Sequence, residues 1–185
     1  MGLKENIADE LVSAVPVDSI CFRNVKVRRA TKTGVLATTG SIVTGGRYNF
    51  IGDFGTLYLS WDIHTSIEET TKSNISLLVD IAMRLPVVIV GYEVILSKVL
   101  DLTDISLLNR IGIVKGDLLE DWENSQMLGV PALTQDIGRY AYDVGFEAIR
   151  SPSAVWGIGM NLNIFPDKLL AGSRIEAVNR EELPD

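Results

Sequence analysis

The sequence predicts an α+β fold, a single compact domain built on a mixed or antiparallel sheet. Three observations predict it. Helical and strand-like patterns interleave without the regular alternation of a parallel α/β protein. A β-branched run from Val87 to Leu100 is too long for a turn and has the wrong periodicity for an amphipathic helix. No repeat, low-complexity tract or Pro/Gly/Ser linker divides the 185 residues, a length that suits one domain. The domain is therefore expected over residues 1–185, with its core at 20–168 and an N-terminal helix and C-terminal extension flanking it.

The elements follow in order. Ile7, Leu11 and Val15 recur every fourth residue, which predicts a short helix over 3–15. Asp18 to Val27 reads as a strand, with Ile20, Phe22 and Val25 apolar. Six glycines between Thr31 and Gly55 predict loops, where glycine permits positive φ or close approach. Thr56 to Trp61 reads as a strand, and Asp62 can cap a helix beginning at His64 and running to Glu69. Ser73 or Asn74 opens a helix through Leu85 that Pro86 ends. Val87 to Leu100 reads as one strand, or two bent at Gly91. Asp104 to Ile111 is a short capped helix, and Leu118 to Trp122 is helical before an irregular stretch. Thr134 to Val144 is a helix despite Gly138, closed by Gly145. Phe146 to Arg150, Asn161 to Phe165 and Arg174 to Val178 are late strands.

Composition excludes several classes. Hydrophobic residues make up 46% and charged residues 22%, a globular profile. The longest apolar stretch, Leu85 to Leu96, is broken by Pro86, Gly91 and Glu93, well short of the ~20 residues a membrane helix needs. The N-terminus lacks a signal-peptide pattern, and Asn6 stands where a myristoylation signal takes Ser or Thr. Cytoplasmic localisation without membrane association is the expectation. A lone Cys21 forms no internal disulfide, and with a single histidine, His64, no Cys/His zinc site is expected. The net charge of −7 argues against direct nucleic-acid binding. Yet Arg23, Lys26, Arg28, Arg29, Lys32 and Arg47 lie between Ser19 and Gly52 without one carboxylate. Such a segment suits a compact anion such as a pyrophosphate, although a solvated basic strand face explains it equally.

Familiar catalytic signatures are missing. The chain has no Walker loop, HExxH, CxxC or GxSxG. Gly157-Ile158-Gly159 lacks the third glycine and the following helix of a dinucleotide turn. A Ser-His-Asp arrangement would depend wholly on His64, which reads more simply as a packing or surface residue.

An ordered series of short motifs remains: Cys21-Phe22-Arg23, Gly45-Gly46-Arg47-Tyr48-Asn49, Leu57-Tyr58-Leu59-Ser60, and Glu69 eleven residues beyond Tyr58. Asp101-Leu102-Thr103-Asp104, Thr134-Gln135 with Gly145, Pro152-Ser153, and Asn161-Leu162-Asn163-Ile164-Phe165 complete it. Taken singly, each has a plain structural explanation: Glu69 a solvated helix residue, Tyr58 a core strand residue, Ser153 a turn residue after proline, Arg47 a surface cation. Together and in this order the series resembles the RES domain, named for its arginine, glutamate and serine. RES domains are the toxin halves of toxin–antitoxin pairs whose antitoxins are Xre-like helix-turn-helix proteins.

Departures from the pattern are specific. Tyr48 stands where the similar element has tryptophan, Phe50-Ile51-Gly52 where a proline follows it, and Ser151 where a tyrosine commonly precedes Pro-Ser. The resemblance implies an ADP-ribosyltransferase-like fold and a toxin that cleaves the nicotinamide–ribose bond of NAD⁺ by hydrolysis or phosphorolysis. Under it Glu69 (chosen over the adjacent Glu68 on spacing alone), Arg47 and Tyr58 are catalytic. Arg23, Arg47, Tyr58 and Ser153 hold the dinucleotide. NAD⁺ is then a substrate, with no other cofactor, and a cognate antitoxin is the expected protein partner. Transfer of ADP-ribose to a protein, or a non-catalytic nucleotide-binding or interaction module, remain alternatives. Acceptor and oligomeric state, a homo-oligomer included, stay open.

Overall fold

The structure, a computed structural model, describes residues 2–72 and 86–185; the helix expected from Ser73 to Leu85 lies outside the described residues. Six strands and six α-helices occur among the described residues. The strands are β1 (Val15–Lys26), β2 (Leu57–Ser60), β3 (Val87–Asp101), β4 (Ala148–Pro152), β5 (Met160–Ile164) and β6 (Arg174–Ala177). The helices are α1 (Leu3–Asp9), α2 (Thr39–Thr44), α3 (Ile63–Lys72), α4 (Ile105–Ile111), α5 (Trp122–Met127) and α6 (Leu133–Val144).

The expected mixture of helix and sheet is present, but the sheet closes on itself. β1 and β3 run antiparallel over their whole length, from Val15 opposite Val99 to Lys26 opposite Val87. β1 also meets β2 through Phe22 opposite Ser60, β2 pairs with β5, and β5 pairs with β4. β4 returns parallel to the end of β3, with Ala148 opposite Val99. Five strands thus form a small barrel, and β6 adds to the outer edge of β3. Closure protects the backbone edges that an open sheet would expose. β3 is one continuous strand through Gly91, not two.

Side-chain phase decides what the barrel carries. The buried apolar positions of β1 are Val17, Cys21 and Val25, whereas Ile20 is exposed. Odd-numbered residues therefore face inward, and Arg23 shares that face. Burial pushes the Cys21 thiol up to about 12, so it stays protonated and inert near neutral pH.

Helices pack on the barrel's other flank. Ile137 and Ala141 of α6 join Leu107, Leu108 and Ile111 of α4, Ile7 of α1, and the rings of Tyr48, Phe146 and Phe165 in a second apolar cluster. Gly145 ends α6 at φ +96°, the left-handed geometry glycine adopts at little cost. Asp104 caps α4 by accepting from the Ser106 N–H at 2.8 Å. Helicity after Leu119 departs from expectation. Lys115–Leu119 forms a 3₁₀ turn, and α5 begins at Trp122, where an irregular stretch was expected. Asp121 starts it by accepting from the Asn124 N–H, a capping signal that the polar sequence WENSQM did not reinforce with apolar spacing.

Two acidic residues fasten the C-terminal end of β3. Asp101 accepts from Arg150 on β4 and from both the backbone and hydroxyl of Thr103. Glu147, wholly buried, accepts from the backbone N–H groups of Ser97, Lys98 and Leu170 at 2.7–2.9 Å. No helix among the described residues is long and apolar enough to cross a membrane.

Candidate functional site

Two chambers open at one end of the barrel and meet at a shared waist. The smaller, about 320 Å³, is lined by Arg23, Asn24 and Lys26 of β1 and by Ser66, Glu69 and Thr70 of α3. The larger, about 610 Å³, is lined by the Gly45–Tyr48 loop, Leu119 to Glu123, Ser151 and Ala154 to Val155. Arg23, Tyr58, Glu69, Asn161 and Asn163 line both. Each volume falls in the range of ligand clefts, about 300–1,000 Å³.

Glu69 is held by α3. Asp62 caps that helix, accepting from the Thr65 N–H at 2.8 Å. Asn24 of β1 clasps it by donating to the Ser66 carbonyl at 3.0 Å and the Thr70 hydroxyl at 2.7 Å. At the waist, Glu69 Oε1 accepts two hydrogen bonds of 2.7 Å, from the Ser153 hydroxyl and from Asn161 Nδ2. Both donors attach to one oxygen, and Oε2 has no hydrogen-bond partner among the described residues. Ser153 itself accepts from the Val155 and Trp156 N–H groups at 3.2 and 2.9 Å, which folds the following loop back toward α3. There Gly159 packs against Thr65, and the His64 and Trp156 rings meet at 4.5 Å. Gly157-Ile158-Gly159 is thus an exposed turn anchored by the buried Gly159 rather than a dinucleotide turn, and His64 is a surface residue against the Trp156 ring.

The opposite wall is the Gly45–Asn49 loop. Arg47 Nη1 donates to the carbonyls of Leu118 and Glu120 at 3.0 and 2.8 Å. The Tyr58 hydroxyl accepts from the Tyr48 N–H at 3.0 Å and donates to Asn49 Oδ1 at 2.8 Å. The hydroxyl end of its ring lies against Gly46, where a Cβ would collide with it. Burial pushes the Tyr58 phenol well above its usual value, so it serves as a neutral anchor. Buried Gln135 on α6 donates to the Gly46 and Asn49 carbonyls at 3.1 and 3.3 Å. Gly138 lets the helix press on the Tyr48 backbone, which any Cβ there would strike.

Arg23 reaches the cleft from β1. Its Nη1 makes long contacts of 3.5 and 3.4 Å with the Val35 and Ala37 carbonyls. Burial lowers its pKa, Tyr92 works in the opposite direction, and the guanidinium remains charged at any physiological pH. Of the six clustered cations, Arg23, Lys26 and Arg47 line the chambers. Arg28 and Arg29 are exposed on a turn, and Lys32 pairs with Asp185.

The structure therefore brings Arg23, Arg47, Tyr58, Glu69 and Ser153 to one cleft, with Glu69 rather than Glu68 lining both chambers. Asn161, Asn163 and Gln135 had no role in the sequence reading beyond their motifs. The signal was available: a strand reading Asn-Leu-Asn-Ile puts two amides on the face opposite its apolar residues, and buried amides need partners.

Residues 22–184 match the RES domain. A chain in the crystal structure of the M. tuberculosis MbcT–MbcA toxin–antitoxin complex has a similar fold, with a TM-score of 0.64 and 17% sequence identity, covering 97% of this chain and 96% of that one. None of the curated proteins compared matches the sequence at a significant level.

Proposed function

The chain belongs to the RES domain family, and on that premise we propose that it binds NAD⁺ and breaks the nicotinamide–ribose bond, as the enzymatic toxin of a toxin–antitoxin pair. The observation that carries this reading is the single carboxylate at the waist: Glu69, hydrogen-bonded on one oxygen by Ser153 and Asn161, with Arg23 and Tyr58 lining the same two chambers.

One carboxylate suffices for this chemistry. As the C1′–N bond breaks, its electron pair passes to the pyridinium nitrogen, and nicotinamide leaves neutral. No general acid is needed, unlike in a typical glycosidase. Positive charge develops on the ribose ring, where Glu69 Oε2 stabilises it electrostatically. Water or phosphate then attacks C1′. For water, Glu69 or solvent takes the proton, giving ADP-ribose, nicotinamide and H⁺. Arg23 and the two nitrogens of Arg47 not committed to carbonyls hold the pyrophosphate. The Tyr58 ring offers a flat face for stacking. The set is similar to that of ADP-ribosyltransferases, an analogy of fold and residue types.

The same premise gives the chain an antitoxin partner, as the toxin in the similar crystal structure has. Purified protein incubated with NAD⁺ tests the enzymatic reading, with nicotinamide release followed while phosphate and protein acceptors are varied. Release with water or phosphate alone supports it. Release only with a protein acceptor makes the chain an ADP-ribosyltransferase, and absence of release under every condition overturns it.

A further inference from the structure

Two of the positions where this chain departs from the motifs it resembles, Tyr48 and Ser151, are neighbours in the structure, and both line the larger chamber. Each is only 1% exposed. Tyr48 is fixed from three directions: its N–H donates to Tyr58, its carbonyl packs against Gly138, and its ring lies in the second apolar cluster. Yet its hydroxyl has no hydrogen-bond partner among the described residues. The Ser151 oxygen accepts from Asn163 Nδ2 at 3.0 Å. Asn163 gives its other N–H to the Ile149 carbonyl, so its donors are spent within the floor.

A count of protons shows what this floor lacks. Tyr48 and Ser151 each carry one hydroxyl proton. If they turn toward each other, one donates and the other's proton is left over. As the side chains stand the Tyr48 hydroxyl is left over, and buried donors are rarely left unsatisfied without a functional reason.

We infer that the Tyr48 and Ser151 hydroxyls form a paired donor site that grips an oxygen acceptor of the ligand in the larger chamber and so helps to set which substrate this chain accepts. The inference rests on the NAD⁺ reading of the cleft, under which the acceptor is a neutral oxygen of the nicotinamide–ribose half, the carboxamide carbonyl or a ribose hydroxyl. Glu69 and Glu120, whose like charge repels an anionic oxygen, line this chamber, so the phosphates fall to Arg23 and Arg47 and a neutral oxygen to this pair.

The test compares wild type with Tyr48→Phe and Ser151→Ala, reading nicotinamide release and thermal melting. Tyr48→Phe removes an unpaired buried hydroxyl and keeps the ring, so it should melt at or above the wild-type temperature. Its KM for NAD⁺ should rise about three- to tenfold, the worth of one neutral hydrogen bond, with kcat within about twofold. Ser151→Ala should show the same split, and the double variant should be little worse than either single. Weakened product inhibition by free nicotinamide in Tyr48→Phe assigns the acceptor to the carboxamide; unchanged nicotinamide inhibition with raised KM assigns it to the ribose. Unchanged KM in both variants overturns the inference while leaving the proposed function intact. So does a lowered melting temperature with unchanged KM, which would make Tyr48 purely structural. Wild type that releases no nicotinamide removes the functional reading and this assignment with it.

Discussion

The two walls of the cleft are built on opposite principles. The Gly45–Asn49 wall has its backbone tied down: Tyr58, Gln135 and the Asn49 side chain hold the loop, and Gly46 and Gly138 let an aromatic ring and a helix press directly on it. The Glu69 wall is half-buried, and its central carboxylate keeps one oxygen uncommitted. The groups that hold the loop are therefore distinct from the carboxylate opposite it. Removing the hydrogen bonds that hold the first wall should cost stability, and removing the charge of the second should cost turnover. Low stability at the chemical wall is not required for this division; unspent hydrogen-bonding capacity is.

The largest expected effect lies in the second wall. Glu69→Gln keeps the side chain's shape and its bonds to Ser153 or Asn161, and removes the charge. Nicotinamide release should fall by about a thousandfold or more, as expected when a preorganised charge opposite a developing cation is lost, while the melting temperature moves by no more than about 2 °C. Comparable losses of both would erase the distinction between the walls.

In the first wall, Gln135→Ala strips three acceptors of their buried donor: the Gly46 and Asn49 carbonyls and Gln126. A cost of about 3 kcal/mol is expected, equivalent to a drop of about 6–12 °C in melting temperature for a chain of this size. Retained stability in this variant would show that Tyr58, the Asn49 side chain and packing hold the loop without Gln135.

Glu147 belongs to neither wall and calibrates both. Burial alone would raise its pKa, yet hydrogen bonds from Leu170, Ser173, Lys98 and Ser97 outweigh it and lower the value. A carboxyl group lowered in the folded state contributes stability above its unfolded pKa of about 4.3, and that contribution is lost as pH falls through the folded value. Wild type should thus lose stability on acidification below about pH 4.3. Glu147→Gln should be about 2 kcal/mol less stable at pH 7, with a flatter acid dependence in chemical-denaturation curves. Parallel acid curves for the two proteins would contradict the assignment.

Tyr58→Phe is the smallest and most discriminating change. It leaves the Tyr48 N–H and Asn49 Oδ1 without their shared partner, at a cost of about 1 kcal/mol, or about 2–4 °C in melting temperature. Tyr48→Phe should carry no such penalty. The two tyrosines, ten residues apart, thus separate a committed hydroxyl from an uncommitted one.

Much of this was legible in sequence order, and the rest was hidden for physical reasons. Apolar spacing located α6, and the β-branched run located β3 while leaving open a break at Gly91. Barrel closure was not legible, because β1 and β3 pair across the sixty residues of intervening chain (27–86) and local patterns carry no record of such pairing. Gly138 read as a cost to the helix; its purpose, contact with the Tyr48 backbone, exists only in tertiary structure. α5 escaped because a polar helix without an apolar stripe has no periodic signal. The series of short motifs pointed to Arg23, Arg47, Tyr58, Glu69 and Ser153. What it could not supply was the division of labour, in which the Tyr58 hydroxyl fastens a loop and Asn161 joins Ser153 on Glu69.

The separation of binding from chemistry is most directly tested by Glu69→Gln presented with NAD⁺ in equilibrium dialysis, with nicotinamide quantified on both sides of the membrane. The expected result is NAD⁺ retained by the variant, at an affinity near that of wild type, with no nicotinamide formed. Nicotinamide produced at the wild-type rate would contradict the account and move the chemistry away from this carboxylate.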